Sequence, residues 1–254
     1  MAKTIAIATH KGGTGKTVTA MALGAGFARA GKKTLLIDLD PQGHCSLGLG
    51  VELEDSALTL RDFFGEPSAF PLRRIIRPTH IPNLSIAPST IRLAPVGQSL
   101  YMRTKREEIL RKGISPIEKE YEFILIDCPP TLGVLTESGI EAANLIVIPC
   151  QMEARAADGL VDLLDLIVAL KGEDFENYRI LITKLDPRKT VTNEVVMTQL
   201  AQWKDKFFEA KIPQSEQLNQ AQMERTDIFS FDAKGKGALA YEALTKELLS
   251  YGTK

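Results

Sequence analysis

Thr9-His10-Lys11-Gly12-Gly13-Thr14-Gly15-Lys16-Thr17, following the apolar run Thr4 to Thr9, is the stretch on which the reading of the whole chain turns. Gly12, Gly13 and Gly15 carry no β-carbon, so the backbone can take positive φ values and turn its N–H groups inward around an anion. Lys16 then reaches the β- and γ-phosphates of a nucleotide, with the Thr14 and Val18 backbone beside it, and the Thr17 hydroxyl binds Mg²⁺. A helix is expected from Thr17, with Ala20, Leu23, Gly24, Phe27 and Ala28 on one face, so that its positive N-terminal end points at the phosphates. Strand, loop and helix stand in the order that a phosphate-binding loop requires. The usual pattern, GxxxxGK followed by Ser or Thr, has glycine where this chain has His10, and a second lysine, Lys11, precedes the two glycines to give KGGTGKT.

Working outward, the next apolar run is Thr34 to Asp38, closed by Asp38-Leu39-Asp40-Pro41-Gln42-Gly43. Two acids one residue apart at the C-terminal edge of a strand lie where α/β sheets bind ligands, within reach of the metal or of an attacking water. The same residues also read as a loop closing in a turn. A third run, Phe123-Ile124-Leu125-Ile126-Asp127, then Cys128-Pro129-Pro130, is continuously apolar and ends in an acid. That suits a parallel strand buried on both faces, with Asp127 reaching Mg²⁺ through a bound water beside Thr17, as in a Walker B motif. Between these runs lie helical hints at Leu58 to Phe64 and a strand at Leu84 to Ala87. A helical stretch from Ile91 to Gly113, broken near Pro95, mixes Arg103, Lys105, Arg106, Arg111 and Lys112 with Glu107 and Glu108, as a solvated surface helix does.

At 254 residues, 44% hydrophobic and 25% charged, the chain suits one sizeable α/β domain spanning residues 1–254. A net charge of -1 gives no global basic field, so any nucleic-acid site must be a local patch. Cys45, Cys128 and Cys150 form no CxxC pair and are odd in number, which fits packing residues in a reducing cytosol. No apolar run reaches the roughly 18 to 20 residues of a membrane span, and the N-terminus lacks a signal peptide's apolar segment, so a cytoplasmic location is expected.

KGGTGKT, LLIDLDPQG and FILIDCPP resemble the deviant Walker A, A′ and B motifs of the ParA/MinD family of P-loop ATPases. NLIVIPCQ (144–151), ILITKLDPR (180–188), Ile212-Pro213 with Leu218 and Ala221, and Lys236-Gly237-Ala238 with Tyr241 resemble later blocks of that family in the same order. The resemblance implies a three-layer fold with a mostly parallel sheet flanked by helices. It implies ATP and Mg²⁺ as cofactors, a homodimer formed on ATP binding, and slow hydrolysis stimulated by a ParB-like or other small adaptor protein. By the same resemblance Lys11 crosses the dimer interface to the partner's phosphates, Asp40 orients the attacking water, Asp38 and Asp127 serve the metal, and Pro213 lines the nucleotide site. A trans-acting arginine finger is the physical parallel for Lys11, worth on the order of 10³ to 10⁵ in rate. The ParA-like branch implies a nucleoid-associated protein that binds DNA without sequence preference and moves a plasmid, a chromosome region or a large protein cargo.

Three positions depart from the family pattern. Val18 stands where a second threonine is usual. Thr183-Lys184-Leu185-Asp186 also resembles the element that reads guanine in related GTPases, although the family has an aspartate there and uses ATP. Gln214-Ser215-Glu216-Gln217 stands where arginines implicated in DNA binding are frequent, which shifts the expected DNA contacts to Lys184, Arg188 and Lys189, or to Lys204, Lys206 and Lys211. Among alternatives, a MinD-like membrane-positioned ATPase would end in a basic amphipathic helix. Here the terminal helix, near Ala238 to Tyr251, carries Leu239, Ala243, Leu244 and Leu248 at core-like spacing. A nitrogenase-type iron–sulfur reductase needs two suitably placed cysteines. A metabolic P-loop enzyme would need a further acid–base constellation, whereas His10, His44 and His80 are scattered and read as structural.

Overall fold

The computed structural model of the protein describes residues 1–251. The chain opens with β1 (Lys3–Ile7), α1 (Lys16–Arg29), β2 (Thr34–Asp38) and the one-turn α2 (His44–Gly48). It continues through α3 (Leu60–Gly65), β3 (Arg77–Pro78), β4 (Leu84–Ala87), α4 (Leu93–Ser99) and α5 (Ile109–Ile114). Next come β5 (Phe123–Asp127), α6 (Val134–Ala142), β6 (Leu145–Gln151), α7 (Ala156–Lys171) and β7 (Tyr178–Thr183). Helices α8 (Thr190–Gln199), α9 (Glu216–Met223), α10 (Ile228–Phe231) and α11 (Lys236–Ser250) complete it.

Among the described residues one sheet forms, in the order β3-β4-β2-β5-β1-β6-β7. Every neighbouring pair is parallel except β3 with β4, at the edge. The strands are apolar in unbroken runs because both faces are covered. Alternation along each strand sends Ala6, Leu35, Ile37, Ile124, Ile126, Ile146 and Ile148 to a core shared with α3 to α7. The intervening Ile5, Ile7, Leu36, Leu125, Leu145 and Val147 face a second core built with α1, α9 and α11. Strands β1 and β5 are central, so the loops leaving their C-terminal ends meet at the middle of one sheet edge, where α/β sheets take ligands.

Helix α1 is buried almost all round rather than on one face. It lies against α11 so closely that a Cβ on Gly26 would come within 2.4 Å of Thr245 Oγ1. The same contact carries a buried hydrogen bond between the Thr19 and Tyr241 hydroxyls, at 3.0 Å. An α1 clamped in this way holds the loop at its N-terminus in a fixed orientation.

Three expectations need correcting. Pro95 does not break the helix over 91–113; it lies in the first turn of α4, where a missing N–H leaves no intrahelical bond unmade. The break comes at Arg103–Lys105, where Lys105 turns left-handed with φ 55°. In α11, Leu239 is 52% exposed and Ala243 also faces solvent, and the buried stripe is instead Ala238, Tyr241, Leu244, Thr245 and Leu248. The cations of the 103–112 segment are not merely solvated, since Arg106 pairs with Glu137 and Arg111 with Glu141, both on α6.

Candidate active site

Gly13 (φ 75°) and Gly15 (φ 92°) take left-handed conformations, and a Cβ at Gly12, Gly13 or Gly15 would meet nothing within 4 Å. Backbone conformation, not crowding, therefore calls for glycine at 13 and 15. The loop is tied to the end of β7, where the buried Thr183 hydroxyl donates to the Thr14 carbonyl at 2.7 Å. Lys16 is 6% exposed, and its Nζ spans the loop to donate to the Lys11 carbonyl at 3.0 Å. Burial pushes its pKa down, and the charge of Asp127 works against that shift. A concave ring of backbone around a desolvated ammonium is an anion site, at the positive end of α1, with Thr17 in that helix's first turn.

The acids expected beside it are there. Pairing of β2 with β5 sets Asp38 opposite Asp127, and both are fully buried. Asp38 Oδ2 accepts from the Ser46 N–H (2.8 Å) and hydroxyl (2.6 Å), while Asp38 Oδ1 and both Asp127 oxygens lack a donor in full hydrogen-bond geometry, the Thr17 hydroxyl approaching Asp127 and the Asp40 N–H approaching Asp38. Burial raises the Asp38 pKa to about 7, and burial followed by the charge of Asp38 holds that of Asp127 well above the carboxylate range. Buried carboxylate oxygens without donors are costly to ionise. A hydrated divalent cation would supply what they lack, so the donor set fits Mg²⁺ beside Thr17. Asp40, 9% exposed, accepts from the Gln42 N–H at 2.9 Å and borders the open space above the loop.

That space is a cavity of about 940 Å³ between the glycine loop with Lys16, Thr17 and Val18 on one side and α2 and α9 on the other. An adjoining cavity of about 90 Å³ is walled by Val18, Pro213, Leu218 and Asn219. Lys11 lies outside both cavities, beside Thr9, Cys150 and Gln151, its ammonium 2.5 Å from Glu153 Oε2 with both side chains about two-fifths exposed. The sequence-selected residues other than Lys11 are thus brought to one place. Not selected were His44, Pro130 and Asn219 on the cavity wall; His10, read as structural, has its Nδ1 2.9 Å from Asp162 Oδ2 of α7. His44 opens α2 directly after the Asp38–Gly43 segment, which was its available signal; Asn219 lies on a polar helix with no motif. Of the expected DNA contacts, Lys184 lines the cavity, Arg188 is paired with Asp186 and Lys206 with Glu176, and Lys184, Arg188, Lys189, Lys204 and Lys211 are exposed. All three cysteines are free and buried.

A family model described as an AAA domain matches residues 2–180. The chain is 35% identical over 255 residues to the sporulation initiation inhibitor protein Soj of Bacillus subtilis, covering 99% of this chain and 100% of that protein. It is 38% identical over 253 residues to the chromosome-partitioning ATPase Soj of Treponema pallidum, with 98% of each covered. Among solved structures, cobyrinic acid a,c-diamide synthase from Mycobacterium smegmatis with bound ADP and magnesium superposes with a TM-score of 0.83. That match is at 27% identity over 99% of this chain and 95% of the other.

Proposed function

The chain belongs to the ParA/MinD family of P-loop ATPases, and from that premise we propose a partitioning switch: a monomer that dimerises on ATP, holds DNA nonspecifically as the dimer, and is reset by hydrolysis. It is an ATPase, with ATP and Mg²⁺ as its cofactors. The observation that carries the switch is the division of labour between two lysines of one loop. Lys16 is buried inside the ring, where its charge meets the β- and γ-phosphates, and Lys11 points away from it to a partly exposed acid, Glu153.

Within one subunit the loop N–H groups and Lys16 bind the phosphates, while Thr17, Asp38 and Asp127 hold the cation and Asp40 orients a water for in-line attack. Bound Mg²⁺ neutralises charge that develops on the phosphate oxygens. Release of Lys11 from Glu153 costs little, because an exposed ion pair contributes about 0–1 kcal/mol. Its ammonium is then available to the phosphates held by a second copy. A ParB-like or other small adaptor stimulates the hydrolysis that ends the cycle, and the cargo is a plasmid, a chromosome region or a large protein assembly. The match along nearly the whole length of chromosome-partitioning relatives favours this reading over a metabolic enzyme, as the diamide-synthase likeness is one of shape at lower identity. A membrane-positioned role finds no support in α11, whose apolar stripe is spent on the protein's own core. Light scattering with ATP and with ADP tests the switch: a dimer is expected with ATP alone, and a monomer in both would overturn it.

A further inference from the structure

His44 is exposed at the start of α2, and its ring makes no hydrogen bond or ion pair among the described residues. The backbone that presents it is fixed from several sides. Gly43 turns left-handed at φ 64°, and a Cβ there would come within 2.8 Å of the Ser89 carbonyl oxygen. The Gly43 N–H donates to the Asp40 carbonyl at 2.9 Å, closing a tight turn that sets His44 just beyond Asp40. Ser46 ties the same one-turn helix to Asp38, and the Ser89 N–H donates to the Ser46 hydroxyl at 3.3 Å. Asp40, Gln42, His44 and Pro130 thereby share the large cavity with Lys16 and Thr17. They stand at its acid end, because α2 is bonded to Asp38 itself, whereas Pro213 and Leu218 wall the adjoining space.

We infer that His44 is a further catalytic residue: its ring N–H donates to an oxygen of the terminal phosphate of bound ATP, on the side where Asp40 holds the water. Whatever its protonation state, an imidazole carries at least one N–H, and this one has no partner inside the protein to give up. During in-line attack the water oxygen bonds to phosphorus as the bond to the departing ADP oxygen breaks, and the water's proton passes to Asp40. The charge spread over the equatorial oxygens is then met by Lys16 from the loop and by His44 from α2. A donor held in place beforehand needs no reorganisation at that moment, so its contribution falls on the transition state. ADP has no terminal phosphate and makes no demand on His44. The inference rests on the reading of this cavity as the ATP site.

Because His44 is exposed, shortening it opens no hole in the core, and the melting point should stay at the wild-type value. The test is single-turnover ATP hydrolysis with Mg²⁺, beside ADP affinity by calorimetry, for the wild type, His44→Ala, His44→Asn and His44→Gln. His44→Ala should hydrolyse ATP about tenfold or more slowly, the scale of one hydrogen bond to a charged group, with ADP affinity unchanged. At least one of the two amide variants, which keep a side-chain N–H, should recover most of the lost rate. A His44→Ala variant that hydrolyses at the wild-type rate overturns the inference. So does a loss of ADP affinity as large as the loss of rate, which would place the contact away from the terminal phosphate. Failure of both amide variants to recover any rate overturns the donor role. A wild type that binds ATP nowhere in this cavity removes the site reading, and the inference with it.

Discussion

Asp38 and Asp127 lie directly opposite each other on the neighbouring parallel strands β2 and β5, fully buried, with only Ser46 donating to the pair in full hydrogen-bond geometry. Adjacent strands are about 4.8 Å apart, so two negative charges here repel strongly in a medium of low polarity. The free site therefore prefers to keep protons that the cation will displace. Metal affinity is in this way built at the expense of the free protein's stability.

A pH dependence follows, and its sign is fixed. Both acids have folded-state pKa values above their unfolded values, that of Asp38 at about 7. Such groups contribute stability that is fully present below about pH 4 and is lost as pH rises through about 7. Nucleotide-free protein should melt at lower temperature at pH 8 than at pH 6, and Asp127→Asn should flatten that slope and raise the pH 8 midpoint by several degrees. About 1 kcal/mol moves the midpoint of a domain this size about 2–4 °C. Differential scanning calorimetry without Mg²⁺ decides it; a variant that melts lower than the wild type at pH 8 contradicts the repulsion.

Lys16→Ala should lower nucleotide affinity on the order of 10²-fold or more, because a buried ammonium inside the loop is replaced by a methyl group facing phosphate charge. Isothermal calorimetry reads this directly. An ATP affinity equal to that of the wild type would show that the loop N–H groups suffice.

Lys11→Ala should leave ATP affinity within a few-fold of the wild type and abolish the ATP-dependent dimer. The monomer's melting point should not move, since the pair lost with Glu153 is half exposed on both sides. A normal dimer in light scattering would remove Lys11 from the interface.

The strands and the loop were legible in the sequence because each has a local cause. Buried parallel strands need unbroken apolar runs, and Thr34–Asp38, Leu84–Ala87 and Phe123–Asp127 begin and end where those runs do. Glycine at 13 and 15 is read just as locally, from the φ values the turn demands. What escaped was set by contacts distant in sequence. The break at Lys105 follows from docking on α6 and not from Pro95, and Leu239 yields its place in the core to Tyr241, which reaches Thr19 across the α1 packing. His10 read as scattered because its partner Asp162 lies 152 residues away. Arg188 looked like a free cation until its fork was found on Asp186.

Asp40 borders the cavity with one oxygen fixed by Gln42 N–H, a poise suited to holding a water. Asp40→Ala should bind ATP, dimerise and lose turnover by about 10² or more, the scale of a positioned general base. Single-turnover hydrolysis at the wild-type rate would take Asp40 out of the mechanism.

DNA binding by the ATP dimer is the prediction that reaches furthest, because the chain's net charge of -1 offers no general attraction to phosphate. A local patch must act, and dimerisation helps by joining two weak patches in one rigid body, which gains avidity without new contacts. The structure narrows the candidates. Lys184 is exposed but borders the nucleotide cavity, Arg188 is exposed but paired with Asp186, and Lys206 is paired with Glu176, which leaves Lys189, Lys204 and Lys211 exposed and in no ion pair among the described residues. Phosphate contacts release counterions, so affinity for unrelated duplexes should fall log-linearly with salt, with a slope near -0.9 per contact. Lys204→Ala and Lys211→Ala should each shallow that slope by about 1, uniformly across sequences. Fluorescence anisotropy with ATP and with ADP over a salt series reads both effects. An ATP form that binds no better than the ADP form, or binding that ignores salt, would move the scaffold from DNA to a protein or membrane surface, and the partitioning cycle would have to run on that instead.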